Sequence, residues 1–270
     1  MRIRALAVAS FGALALSALA VPAAQAAPSA APNVTFSQMK VNAGKAIVVG
    51  PSAKVTVTAT YTLTKPAGLA TSSFDNGPML YRGTTLGANS QIIAGDEPGT
   101  CKAVSTTVLH CTAKIQFRPA ASGDFDDLAD SQAGAWKVGA LAVPHSATGE
   151  ADLKWQSNLG TVKVQRQAQL TADATPEPVK KGKTLTVTGK LTRANWDTNK
   201  TGGYAAQPVT LQFKKKGSTT YTTVKTVRTS STGALKTTVT ASADGYYRYS
   251  FAGTTTTPAV SAAGDFVDVK

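Results

Sequence analysis

Residues 54–63 alternate with a period of two: Val55, Val57, Ala59, Tyr61 and Leu63 point one way, and Thr56, Thr58, Thr60 and Thr62 point the other. A strand half-buried against a core requires that period, and β-branched residues suit both of its faces. The same reading places further strands at Val34–Val41, Lys45–Val49, Met79–Arg82, Gln91–Ala94, Thr100–Val104, Val108–Phe117, Ala135–Val143, Glu150–Trp155 and Thr161–Arg166. No helical period of comparable length competes. Between Lys65 and Pro98, Gly and Pro interrupt the pattern repeatedly and leave the strand pairing there open.

The N-terminus reads as an export signal. Arg2 and Arg4 form a basic start, Ala5 to Ala20 is apolar, and Ala24-Gln25-Ala26 is a small-x-small cleavage site. Cleavage after residue 26 leaves 244 of the 270 residues and lowers the formal charge from +13 to +11. The final segment, Asp265 to Lys270, is strand-like and carries no hydrophobic tail, so the expected product is soluble and secreted.

Charge is unevenly divided. Residues 27–168 hold 12 basic and 9 acidic residues, whereas residues 169–270 hold 14 and 6. A net of +8 on the second half suits anionic partners outside the cell, such as wall polymers, lipid head groups or acidic glycans, or else serves solubility alone. Nucleic acid is a poor match to an exported chain without a binding motif for it. Cys101 and Cys111 are the only cysteines, and export predicts that they pair. Val104 and Val108 flank Ser105-Thr106-Thr107, a turn that would bring the two cysteines face to face across a hairpin.

A small-residue leader spans 27–33, a first sandwich spans 34–168, and a second begins at residue 169 without a flexible linker. The second carries strands at Gln169–Thr175, Thr184–Leu191, Val209–Lys214, Tyr221–Arg228, Leu235–Thr240, Tyr246–Phe251 and Asp265–Val269. Seven short strands in about 100 residues match an immunoglobulin-like sandwich. Two patterns recur between the halves. Leu185, Val187, Gly189 and Leu191 repeat the one-sided set of Val55 to Leu63, and Gly245-x-Tyr247-x-Tyr249 repeats Gly134-x-Trp136-x-Val138. Tyr247 then serves either as a tyrosine corner that fastens an inter-sheet loop or as a core aromatic.

No catalytic constellation stands out. Both cysteines are spent, and the two histidines, His110 and His145, have no Gly-x-Ser-x-Gly elbow or metal spacing beside them. The expected protein is therefore not an enzyme. The densest acidic segment supplies Asp124, Asp126, Asp127 and Asp130, oxygen ligands for calcium or a solvated loop; the EF-hand spacing fails at Ala129 and Ala135. Trp196, in the polar run Asn195-Trp196-Asp197-Thr198-Asn199 with Tyr204 nearby, is either a stacking surface for a sugar or partner or a lid over one end of the sandwich. Lys180, Lys181 and Lys183 precede a strand, and Lys214, Lys215 and Lys216 close a hairpin tip. These lysines converge at one end as an anion site, or guard exposed strand edges.

Three stretches carry a resemblance: Glu177 through Leu191, Ser230-Ser231-Thr232-Gly233-Ala234-Leu235-Lys236-Thr237, and Asp244-Gly245-Tyr246-Tyr247-Arg248. They resemble small secreted proteins of actinobacteria, Streptomyces especially, built from tandem immunoglobulin-like domains. The resemblance covers nearly all of residues 170–270 and, more loosely, the cysteine hairpin and Gly134-Ala135-Trp136-Lys137-Val138. It implies the fold and the compartment, and for some members a calcium-binding label, but no activity. The expectation is an all-β tandem of sandwiches acting as a binding or structural module at the cell envelope or matrix, in contact with an anionic polymer or another extracellular protein. A calcium-dependent protein using Asp124 to Asp130, or an enzyme inhibitor presenting Gly202–Gln207, are the other readings.

Overall fold

The structure, a computed structural model, describes residues 30–119 and 127–270. Its regular elements are strands and short 3-10 turns. The earlier strands are β1 (Thr35–Val41), β2 (Ile47–Val49), β3 (Val55–Thr64), β4 (Phe74–Arg82), β5 (Gln91–Ala94), β6 (Thr100–Ala103), β7 (Val108–Pro119), β8 (Asp127–Leu128), β9 (Gly134–Pro144) and β10 (Lys154–Arg166). The later ones are β11 (Ala168–Leu170), β12 (Asp173–Thr175), β13 (Thr184–Asn195), β14 (Lys200–Gly203), β15 (Pro208–Lys215), β16 (Thr222–Arg228), β17 (Ala234–Thr240), β18 (Gly245–Phe251), β19 (Val260–Ser261) and β20 (Asp265–Val267).

Four sheets result. Two have the orders β1-β3-β7-β6, with β8 on β7, and β2-β10-β9-β4-β5. The other two are β11-β13-β12, with β14 and β17 also on β13, and β16-β15-β18-β19, with β20 on β18. The fold is all-β, built as immunoglobulin-like sandwiches. The chain divides into two compact units. The first holds Thr56–Gln116, Trp136–Val162 and the described part of Met1–Lys45; the second holds Ala46–Val55, Lys163–Lys270 and the described part of Phe117–Ala135.

In the first unit β3 buries Val57, Ala59, Tyr61 and Leu63, the apolar face read from its alternation. Tyr61 and Leu63 pack with Phe36, Phe74, Leu109 and Ala140. The Tyr61 hydroxyl donates to Asn76 Oδ1 at 2.6 Å, which satisfies a phenol that burial holds in its neutral form. Cys101 and Cys111 face each other in the β6–β7 register and are bonded, with the Val104 N–H donating to the Val108 carbonyl at 2.9 Å to close the turn. Because the bridge spans 10 residues, the chain-entropy argument gives it about 2–3 kcal/mol. Cys101→Ala/Cys111→Ala should lower stability by about that amount in urea unfolding; no loss would show that the hairpin is already restricted in the unfolded chain.

Some boundaries differ from the expected ones. Residues Glu150–Asp152 form a 3-10 turn rather than the start of a strand, because the Asp152 carboxylate accepts the Thr148 and Gly149 N–H groups at 2.7 and 3.2 Å. The strand that follows, β10, runs unbroken to Arg166. Strand β4 begins at Phe74, earlier than expected. It tolerates Pro78 because β5 joins only from Met79, so the Phe74–Pro78 stretch pairs on one side only, with β9.

In the second unit β18 buries Gly245, Tyr247, Tyr249 and Phe251 and turns Tyr246, Arg248 and Ser250 outward. The inner set packs on Leu185, Val187, Leu191, Val209 and Leu211. Of the two roles open to Tyr247, it takes the core one, with its ring 4.7 Å from that of Phe213. The phenol that fastens one sheet to the other is Tyr249, whose hydroxyl donates to the Val187 carbonyl at 2.9 Å. Gly189 interrupts the apolar set of β13 for a steric reason: a Cβ there would lie 2.3 Å from the Thr171 carbonyl oxygen and 2.8 Å from the Tyr249 ring.

Candidate functional site

The lysine-bearing segments of the second unit meet at one end of its sandwich. The turn before β13 is closed by the Lys183 N–H donating to the Lys180 carbonyl at 3.0 Å, with Gly182 at φ +80°. The tip after β15 turns at Gly217, φ +83°. Both are tied to the short link between β17 and β18. The Ala241 N–H donates to the Lys183 carbonyl at 2.9 Å, and the Lys216 N–H donates to the Asp244 carbonyl at 2.9 Å. The chain end joins them, since the Lys181 N–H donates to the Lys270 carbonyl at 2.7 Å. Lys180, Lys181, Lys183, Lys215, Lys216 and Lys270 are all exposed there, while Lys214 is half-buried.

Asp244 is the acid that organises this end. Its Oδ1 accepts the Val269 N–H at 2.9 Å and its Oδ2 takes the Lys216 ammonium at 3.4 Å. The backbone N–H first, and then Lys216, hold its carboxyl below the usual carboxylate range. The other lysine with a carboxylate partner there is Lys270, 3.7 Å from Asp268. The sequence placed the lysines in two runs; the tertiary link through 241–244 brings the runs together.

Trp196 does not join them. Its indole is 0% exposed and donates to the Val49 carbonyl at 3.3 Å, so the expectation of an indole open to a sugar or partner is corrected: it packs inside the second unit. The run around it is a turn, since Asn195 Oδ1 accepts both the N–H and the hydroxyl of Thr198, each at 2.8 Å. Tyr204 is also engaged, with the Arg193 guanidinium 4.0 Å from its ring centre and Phe251 edge-on at 5.8 Å. Of the stretch 202–207 considered as an inhibitor contact, Gly202 and Gly203 belong to β14.

Of the four aspartates considered for calcium, Asp124 and Asp126 lie outside the described residues, as does the side chain of Asp127. Asp130 is committed elsewhere. Its Oδ2 lies 2.7 Å from Arg166 Nη2, and its Oδ1 accepts the Trp196 N–H at 2.7 Å. Arg166 in turn donates through Nε to the Ala194 carbonyl at 2.6 Å. Calcium at Asp130 would have to displace a guanidinium, so Asp130 as it stands does not suit that ion. Among the described residues no group of three or more His, Cys, Asp or Glu is placed to hold a metal. Sequence reasoning missed Arg166 altogether; its signal, an arginine closing a long strand, is shared with many solvated positions.

The first unit has a cleft of about 260 Å³ lined by Leu63, Ser72, Phe74, Asp75, Leu109 and His145 among others. His145 Nε2 lies 3.3 Å from Asp75 Oδ1, with both side chains about half exposed. The partner the imidazole meets in this cleft is the Asp75 carboxylate rather than the Ser72 hydroxyl.

No protein-family model matches this chain, and no curated protein does. Among solved structures it is similar to the D0-D1 domain of Intimin at 17% identity, with 86% of this chain and 98% of that one covered and a TM-score of 0.26. It is also similar to FdeC, an Escherichia coli adhesin, at 14% identity over 89% of this chain and 67% of that one, TM-score 0.30. The Yersinia pseudotuberculosis adhesin InvE gives 10% identity over 87% and 58%, TM-score 0.25, so this chain spans little more than half of that structure. At TM-scores of this size the fold rests on the strand pairing itself.

Proposed function

We propose that the chain is an exported, non-catalytic binding module of the cell envelope or extracellular matrix that holds anionic polymers at the lysine-bearing end of its second unit. The observation that carries this reading is the shared link 241–244, which gathers the turn of Lys180–Lys183 and the tip of Lys215–Lys216 at one end. Two acids with ion-paired lysines, Asp244 and Asp268, leave an excess of positive charge there. Pairing of Cys101 with Cys111 and the N-terminal signal pattern support an extracellular setting.

The test is co-sedimentation of the protein with purified actinobacterial cell wall at low and high salt. Exposed ion contacts contribute roughly 0.5 kcal/mol each and are screened by salt. Replacing Lys181, Lys183, Lys215 and Lys216 together by Gln should therefore weaken binding by about tenfold or more, and salt should do the same to the wild type. Retention of the quadruple variant equal to wild type, or binding indifferent to salt, would remove this end as the contact.

A further inference from the structure

We infer that the outer face of the β15–β18–β20 sheet is a binding surface for an anionic polysaccharide, one that needs both sugar rings and acidic groups. This deepens the polyanion reading above and rests on it. Alternation on β15 and β18 sends Gln212 and Lys214, and Tyr246, Arg248 and Ser250, to the side away from the core. The register sets Lys214 beside Tyr246 and Tyr246 beside Phe266, a row of three neighbours across adjacent strands about 5 Å apart. Tyr221, just ahead of β16, completes the face.

The cations on this face are held by rings. The Lys214 ammonium lies 4.7 Å from the Tyr246 ring centre and 5.1 Å from that of Tyr221. The Arg248 guanidinium lies 3.6 Å from Tyr221, and its Nε donates to Gln212 Oε1 at 2.8 Å. Lys216 lies 5.4 Å from the Phe266 ring, whose centre is 5.2 Å from that of Tyr246. Among the described residues neither Lys214 nor Arg248 has a carboxylate partner. A buried aromatic cluster would bring its rings into the core; these rings stay partly exposed on a solvent-facing sheet, interleaved with Lys214 and Arg248, which have no carboxylate partner among the described residues.

That combination selects a ligand class. Ring contacts restrict the lysine and arginine side chains before any ligand arrives, which lowers the entropy lost on binding an anion. Partly exposed aromatic edges give apolar surface to the C–H faces of a sugar. A polymer with acidic groups and no rings uses only the cations, and a neutral glycan uses only the rings. The face is also continuous with the lysine-bearing end, because Lys215 follows Lys214 on β15 and pairs with Gly245.

Affinity electrophoresis of the full chain through gels containing three probes tests this. Polygalacturonate carries rings and carboxylates, its fully methyl-esterified form carries rings alone, and linear polyphosphate carries charge alone. Polygalacturonate should retard the protein most, with the other two weaker by about tenfold. Tyr246→Thr and Arg248→Gln, each checked for an unchanged circular dichroism spectrum, should each weaken polygalacturonate retention about three- to fivefold. Tyr246→Thr should weaken polyphosphate retention less than it weakens polygalacturonate retention, because only the sugar polymer also loses ring contact. Polyphosphate bound as tightly as polygalacturonate, with Tyr246→Thr silent on both, overturns the polysaccharide assignment while the polyanion reading stands. Retardation by none of the probes overturns both. Should Tyr246→Thr unfold, Phe266→Thr gives the same comparison from the edge of the row.

Discussion

Asp130→Ala should cost the second unit about 3 kcal/mol, the lower end of the range for stranding one member of a buried ion pair. Arg166 is 8% exposed at its side chain and Asp130 18%, so the guanidinium left behind is largely cut off from water. The Trp196 N–H loses its acceptor in the same change. Replacing both charged partners, Asp130→Leu with Arg166→Met, should cost far less than either single change, because no uncompensated charge stays inside. Urea unfolding followed by tryptophan fluorescence measures both. A single variant that loses under about 1 kcal/mol would show that water reaches the pair and screens it.

Tyr249→Ala is expected to be comparably damaging, about 3–5 kcal/mol, the cost typical of emptying a fully buried aromatic site. The ring is 0% exposed and spans the sandwich from β18 to the Val187 carbonyl. Tyr249→Phe keeps the packing and removes the phenol's hydrogen bond to that carbonyl, a loss of roughly 1 kcal/mol. The two variants separate packing from hydrogen bonding. The phenol has a further signature at high pH. Burial pushes its pKa up to about 12, against 10.0 for an ordinary tyrosine. The native state therefore keeps a proton that the unfolded chain releases, and stability should fall as pH rises from about 10 to about 12. Tyr249→Phe should blunt that alkaline loss. An identical pH profile in the two proteins would place the loss on other groups.

The alternation of β3 and β13, the β18 pattern and the cysteine hairpin were all legible because each is local. Period-two burial and a ten-residue bridge need only the neighbouring chain. Strand β14 was not legible, since Lys200-Thr201-Gly202-Gly203 has no apolar alternation and exists through pairing with β13. The 3-10 turn at Glu150–Asp152 was missed because it depends on one carboxylate reaching back to Thr148 and Gly149. Trp196 shows the same limit at a candidate site. Its polar neighbours suggested an exposed loop, yet Val49, 147 residues earlier, supplies the carbonyl that takes its indole N–H.

What the amino-acid sequence determined by itself is the all-β class, the inward faces of β3 and β13, the hairpin bridge and the excess of positive charge on residues 169–270. These follow from periodicity, composition and short spacing. Only the tertiary structure decided that two separate lysine runs share one end, that Asp130 answers Arg166, and that Tyr221, Tyr246 and Phe266 share one face with Lys214 and Arg248. Those relations join residues tens of positions apart through strand register and sheet order. A chain's local preferences do not specify which strands lie side by side; burying the apolar faces of all of them at once does.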